Sequence, residues 1–240
     1  AVAVLDIEKC VVTNIYSVGF EDYSKVAVDI DKKDEKYEAK TYEDLLGIRM
    51  PDGISLYRTG GKTYLLTANE GDARTWGSYT NEAEKNFGKK KDNTSPTGKI
   101  TPENSGLKGK VVFYDASTAD GLDSSKDHLF GGRSFTMFEV TENGLKEVYD
   151  SGNDFEAKTA AYLPGYFNCS NDDLTVDDRS GKKGPEPETV ITGQVGSKNY
   201  AFVTLERIGG IMVYDITDPS NISYVNYINS RDLSTDVGTD

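Results

Sequence analysis

The sequence predicts an all-β fold: a partial β-propeller of four-stranded antiparallel blades, interrupted by one long inserted loop. Two observations predict it. A hairpin unit occurs twice in register, and the 240 residues include 15 Tyr and 24 Gly, which suits short strands joined by tight turns better than long helices. The repeat runs from Pro51 through Gly60, Lys62 and Tyr64 to Glu70, and again from Pro187 through Gly196, Lys198 and Tyr200 to Glu206. All five identities keep one offset of 136 residues, and an acid, Asp52 or Glu188, follows each proline. Self-similarity of this kind marks architectures built by repetition.

Taken in order, residues 1–7 and 11–18 are apolar enough for two strands and read as the end of a preceding blade. The chain opens inside the run Ala1-Val2-Ala3-Val4-Leu5, so it reads as cut from a longer protein whose leader would lie upstream. Residues 37–46 are polar and read as a short helix or a crossing loop. Residues 54–57 and 64–68 form the first repeat's hairpin, and 190–195 and 200–204 the second's, with Gly-Gly-Lys and Gly-Ser-Lys as turns. The second unit continues with strands at 211–215 and 222–227, flanking the turn Thr217-Asp218-Pro219-Ser220. The first unit finds its third strand only at 131–138 and its fourth at 146–150. Residues 71–130 are therefore expected as an insertion rich in Lys, Asn, Gly and Ser, partly loop, with one strand at 111–114.

The organisation that follows is a half blade at 1–19, a blade at 50–152 holding the insertion 71–130, and a blade at 185–230. A closed propeller needs about 4 to 8 blades, so the remaining blades of a parent protein are expected partners. Strand spacing alone also allows a β-sandwich with a decorated edge, and the in-register repeat favours the propeller.

A formal charge of −13 is the opposite of what a nucleic-acid groove requires. No segment approaches the roughly 18 apolar residues of a membrane span. Cys10 and Cys169 allow one disulfide or two free thiols, and cysteine usage leaves the compartment open.

In a blade whose first strand is innermost, the start of that strand and the end of the second share one face. Asp52, Glu188, Glu70 and Glu206 are thus expected along one rim, with Asp72 and Glu186 close by. Crowded carboxylates repel one another unless a cation offsets them, and an all-oxygen set suits Ca²⁺. These six are the candidate metal residues; Arg74, Arg133 and Arg207 are the candidate binding residues. The competing expectation is ion pairing, Glu70 with Arg74 and Glu206 with Arg207. A second acidic stretch, Asn168-Cys169-Ser170-Asn171-Asp172-Asp173 with Asp177-Asp178-Arg179, does not follow EF-hand order and reads as a solvated loop. The single histidine, His128, falls in the insertion and reads as a surface residue. No nucleophile elbow, zinc spacing or phosphate loop accompanies it. Metal-assisted phosphoester hydrolysis needs only carboxylates, a cation and water, and stays open. Trp76 and the tyrosines of the insertion are candidates for a ligand-facing patch.

Several stretches resemble the choice-of-anchor I family: Met50-Pro51-Asp52-Gly53-Ile54, Asn69-Glu70-Gly71-Asp72-Ala73-Arg74, Gly131-Gly132-Arg133-Ser134-Phe135, Tyr149-Asp150-Ser151-Gly152-Asn153-Asp154-Phe155-Glu156, Gly184-Pro185-Glu186-Pro187-Glu188 and Leu205-Glu206-Arg207-Ile208-Gly209-Gly210. The resemblance implies a secreted or surface-anchored bacterial β-propeller, of a kind labelled alkaline-phosphatase-like or mesenchyme-specific cell-surface-glycoprotein-like. It implies further propeller sequence on both sides. The function expected is a non-catalytic extracellular or cell-surface module that binds a ligand or partner, with Ca²⁺ at the acidic rim. The alternatives are a metal-dependent phosphoesterase and a structural spacer of the cell envelope.

Overall fold

The chain opens on an antiparallel hairpin, β1 (Val2–Asp6) and β2 (Val11–Tyr16), whose Leu5, Val12 and Ile15 side chains stay exposed. The structure is a computed structural model that describes residues 1–115, 117 and 121–234. After β3 (Phe20–Asp22), a coil crosses to β4 (Leu45–Ile48), so the polar 37–46 segment is loop up to Asp44 and strand beyond it.

The first repeat folds as β5 (Ile54–Thr59) and β6 (Lys62–Ala68), paired antiparallel from Ile54↔Thr67 to Thr59↔Lys62. Gly60 and Gly61 turn the chain at φ 57 and 76, the left-handed conformation that two-residue hairpin turns need. The expected insertion carries its expected strand as β10 (Lys110–Tyr114) and, among the described residues, four strands that were not expected: β7 (Thr75–Trp76), β8 (Tyr79–Thr80), β9 (Glu82–Asn86) and β11 (Asp127–Phe130). A four-residue helix, α1 (Pro102–Ser105), precedes β10 and is capped by Thr101. Strands β9, β10 and β11 join β3 and β4 in one sheet of order β3-β4-β11-β10-β9, antiparallel except where β4 meets β11. The reason these strands escape a pattern search is physical. Edge strand β9 reads Glu-Ala-Glu-Lys-Asn, which blunts the sheet margin with charge, and β11 is buried along its whole length, so neither alternates.

The chain then resumes the first unit with β12 (Phe135–Thr141) and β13 (Gly144–Asp150), giving a four-stranded sheet of order β13-β12-β6-β5. Helix α2 (Asp154–Tyr162) leads to a 3-10 turn at Pro164–Tyr166. The second unit is the consecutive meander β14 (Pro187–Val195), β15 (Lys198–Leu205), β16 (Ile211–Asp215) and β17 (Ser223–Ile228). The third and fourth strands expected of each unit are therefore present and paired as a four-stranded antiparallel sheet. The fold is all-β with several antiparallel sheets, none closed on itself among the described residues.

The two four-stranded sheets meet through β14, which packs against β5 and β6. One apolar cluster spans both, taking Leu66, Phe135 and Met137 from the first and Val203, Met212 and Tyr214 from the second. A separate cluster around Tyr23, Leu45, Phe113 and Leu129 holds the five-stranded sheet. His128 lies in that sheet at 1% exposure, not on the surface. Its strand is flanked by β4 and β10, and burial pushes its imidazole below the usual range. Cys10 is exposed, Cys169 is buried, and both are free thiols.

Candidate functional site

Pro51 leads into β5 and Pro187 opens β14, each the edge strand of its four-stranded sheet, and Glu70 and Glu206 follow the ends of the neighbouring strands β6 and β15. One backbone bond joins the two sheets, Gly53 N–H to the Glu188 carbonyl at 2.9 Å, and within the second unit Glu206 N–H donates to the Glu186 carbonyl at 2.8 Å. Glu70 is held by a close crossing of backbones. A Cβ on Gly71 would lie 2.1 Å from Gly131 N, and one on Gly131 would lie 2.0 Å from the Glu70 carbonyl oxygen. Only glycine fits either position. Asn69, fully buried, anchors the turn by hydrogen bonds to Ser134 Oγ at 3.0 Å and Thr136 Oγ1 at 2.7 Å.

This places carboxylate oxygens of Asp52, Glu70 and Glu188 within 4.8 Å of one another, and likewise those of Glu70, Glu186 and Glu206. The two groups share Glu70 and differ in charge balance. Glu186 is fully buried and ringed by cations. Arg207 Nε lies 2.9 Å from its Oε1, Lys183 Nζ 2.8 Å from its Oε2, and Arg179 pairs with it as well. Burial alone would raise this carboxyl, but Arg207, Arg179 and Lys183 hold it at about 2. Lys183 also reaches Glu70 at 3.0 Å, and Arg207 reaches Glu206 at 3.1 Å. Burial nevertheless pushes Glu70 up to about 7, with Glu186 and Glu188 adding to it against the pull of Lys183. Among the described residues, neither Asp52 nor Glu188 has a basic group within ion-pairing distance.

The whole-chain comparison decides the relationship: the choice-of-anchor I domain model matches residues 1–219. The chain belongs to the choice-of-anchor I family. Among curated proteins it is similar to a mesenchyme-specific cell surface glycoprotein of Strongylocentrotus purpuratus, 26% identical over 87% of this chain and 31% of that protein. It is also similar to gigasin-3a of Magallana gigas, 34% identical over 45% of this chain and 39% of that protein. The chain thus spans about a third of the length of these relatives. No solved structure matches it. The first of these relatives is by name a cell-surface glycoprotein, and among the described residues of this choice-of-anchor I chain no helix is long and apolar enough to cross a membrane.

The other candidate residues of this choice-of-anchor I chain part company. Asp72 stands outside both carboxylate groups, with its side chain 79% exposed and Lys183 at 3.4 Å. Arg207 lines a cleft of about 360 Å³ together with Asp72, Glu82, Glu84, Arg179, Lys182 and Lys183. Arg74 turns to the Tyr114 hydroxyl at 2.9 Å, and Glu70 takes Lys183 in place of the expected Arg74. Arg133 is 3% exposed and is a strut of the interior: it bonds Glu156 at 2.8 Å and the carbonyls of Asp29, Ser180 and Lys182 at 2.7, 2.8 and 2.9 Å. Trp76 is 87% exposed on the β7–β8 hairpin, three residues beyond Ala73 of the cleft wall. Sequence reasoning missed Lys183 and Arg179 as site residues. Their signal was their spacing, three and seven residues before Glu186, on a loop that turns back on itself through Gly184 N–H and the Arg179 carbonyl at 3.0 Å.

Proposed function

We propose that the chain is a non-catalytic binding module, part of a β-propeller, in which Asp52, Glu70 and Glu188 hold Ca²⁺ beside a cleft that receives a ligand or partner. One observation carries this reading. Carboxylates from two different sheets converge within 4.8 Å at the seam between them, and two of the three have no basic neighbour among the described residues. The donor set is all oxygen, which fits a hard cation and not zinc or copper. A Ca²⁺ there would tie the two repeats at the place where their charges repel. The adjoining cleft has a basic wall of Arg179, Lys182, Lys183 and Arg207 facing acidic Asp72, Glu82 and Glu84, and Trp76 supplies exposed aromatic area near its edge. Mixed charge with an exposed aromatic supports recognition of a polar partner.

The test is a thermal melt in EDTA and across a Ca²⁺ titration, with Mg²⁺ as control. A native-state ligand at a hundredfold excess over its Kd stabilises by about 2.7 kcal/mol, several degrees for a domain of this size. The expected result is a Ca²⁺-selective rise, part of which disappears in Glu188→Gln. A rise unchanged in Glu188→Gln, or no rise, overturns the assignment at this seam.

The basic wall of the cleft favours a second reading, metal-dependent phosphoester hydrolysis, in which Lys182 and Lys183 hold the ester and the carboxylates hold the metal. Turnover of a chromogenic phosphate ester that is lost in Glu70→Gln and Glu188→Gln would replace the first reading by this one. If neither a Ca²⁺ response nor turnover is seen, a structural spacer is left.

A further inference from the structure

A second group of acids lies on the other side of the molecule's sequence, between the loop of residues 28–38 and the loop of residues 167–180. Oxygens of Asp29, Asp34 and Asp177 lie within 4.8 Å of one another. Asp29 is 1% and Asp177 0% exposed, while Asp34 is half-buried. Among the described residues, no cation lies within ion-pairing distance of these three carboxylates. Three nearby bases are engaged elsewhere: Arg133 with Glu156, Lys32 with Asp178 and Lys36 with Glu38. Asp31, between the first two acids, is spent on the backbone amides of Lys33, Lys108 and Gly109.

An acidic cluster alone proves nothing, but two interior oxygens here have no partner. Asp177 accepts the Ser180 hydroxyl on Oδ1 and leaves Oδ2 unbonded. Asn168, also 0% exposed, donates to the same Ser180 oxygen at 2.8 Å and leaves its Oδ1 unbonded. Buried acceptors left unpaired are destabilising, and adjacent buried carboxylates more so. Burial, with the Asp29 charge and both the charge of Asp34 and a side-chain hydrogen bond to it adding to the effect, pushes Asp177 up to about 9 against the Ser180 hydrogen bond. Burial likewise pushes Asp29 up to about 7. Either protons or a cation must neutralise the group.

We propose that Asp29, Asp34 and Asp177 form an interior site for one divalent cation of the Ca²⁺ class, which fastens the 28–38 loop to the 167–180 loop. The donors are hard carboxylate oxygens of the kind Ca²⁺ accepts, and the buried Asp177 Oδ2 among them has no hydrogen-bond donor. Asp29 is already oriented from its other side, by Asp31 N–H at 3.2 Å on Oδ1 and by Glu38 N–H at 2.6 Å on Oδ2. Such support from the surrounding shell holds ligands in place. The site is independent of the seam between the repeats and makes its own prediction. It ties down the loop that carries Arg179 and leads directly into Lys182 and Lys183, so its occupant sets the shape of the cleft's basic wall.

The experiment uses the full chain with the seam disabled, as Asp52→Asn/Glu188→Gln, stripped with EDTA and dialysed. Ca²⁺ is titrated by calorimetry, and Tb³⁺ by luminescence excited at tyrosine. Tyr42 is the expected sensitiser: its phenol is pushed up by burial and by the charges of Asp29, Asp31 and Asp34. The expected result is one saturable site in that background, weakened at least about tenfold when Asp177→Asn or Asp34→Asn is added. In EDTA, Asp177→Asn should melt at or above its parent, because it removes the cost of keeping a buried acid neutral beside Asp29 and Asp34, and with Ca²⁺ it should melt below. Asp34→Asn, at a half-buried position, covers the case in which Asp177→Asn fails to fold. Absence of binding in the seam-disabled background overturns the proposal and leaves the seam assignment standing. So does undiminished binding in both folded Asn variants.

Discussion

Gly53 donates its N–H to the Glu188 carbonyl at 2.9 Å, so one repeat is hydrogen-bonded to the other at the point where their acids meet. A Cβ at position 53 would lie 2.3 Å from Thr189 Oγ1, 2.6 Å from Thr189 Cα and 2.9 Å from the Glu188 carbonyl oxygen. The backbone of one sheet must then withdraw from the other. Gly53→Ala is expected to destabilise by about 1–3 kcal/mol, as overpacking generally does, and to weaken Ca²⁺ binding at the seam in proportion. Denaturant melts with and without Ca²⁺ measure both. A variant of unchanged midpoint would mean that the seam yields without loss.

Glu186 and Glu206 both lie in the acidic group, yet their substitutions are expected to differ. Glu186 is fully buried beneath Arg179, Lys183 and Arg207. Replacing it by Gln leaves three cations facing one another and should cost about 3–5 kcal/mol, the usual cost of stranding a buried charge. The Glu206 side chain is 33% exposed with one partner, so Glu206→Gln should cost about 1 kcal/mol or less. Equal effects in chemical denaturation would contradict the burial argument.

Much of this architecture can be read from the chain, and the failures have physical causes. The in-register Pro51/Pro187 repeat locates β5, β6, β14 and β15 and the approach of Asp52, Glu70 and Glu188, because identical hairpins place identical positions at identical ends. The charged strand β9 and the fully buried β11 carry no period-two pattern, so His128 was misplaced to the surface. Helix α2, with Phe155, Glu156 and Thr159 as its buried residues, has no apolar stripe and gives no helical signal. Asp177 looks like one more acid of a solvated loop, since nothing local shows that it packs against Asp29, almost 150 residues earlier in the chain. Arg133 sits in a motif of small and polar residues typical of a surface turn. Its burial is decided by carbonyls of two distant segments, Asp29 on one and Ser180 and Lys182 on the other.

Acid-base behaviour follows from the Glu21–Arg49–Asp150 group. Burial, with Asp150 adding to it, pushes Glu21 up to about 7 although Arg49 lies 3.0 Å away. The carboxyl of the unfolded chain titrates near its ordinary 4.5. A folded value above the unfolded one means that folding favours the protonated form. The group's contribution is thus fully present below about pH 4.5 and is lost as pH rises through about 7. Glu21→Gln should flatten the decline in stability between these limits, by at most about 3 kcal/mol. Denaturation midpoints measured in EDTA at steps from pH 4.5 to 8 give the slope directly. An unchanged slope would show that the Arg49 pair holds Glu21 ionised throughout.

Arg133 provides the sharpest distinction between a surface contact and an interior strut. Its guanidinium joins Glu156 on α2 to the carbonyls of Asp29, Ser180 and Lys182, and its own backbone takes φ 54. A lysine keeps the charge but offers one point of contact in place of a fork. At least two of the three carbonyls then stay buried without a donor, at about 1–3 kcal/mol each. Arg133→Lys is therefore expected to destabilise by about 2–5 kcal/mol. Arg133→Met should cost at least as much, because it also strands Glu156, which is 1% exposed. In the double substitution Arg133→Met/Glu156→Gln the stranded charge is gone, and part of the loss should return. A surface role predicts the opposite pattern: near-wild-type midpoints in all three variants and no coupling between positions 133 and 156.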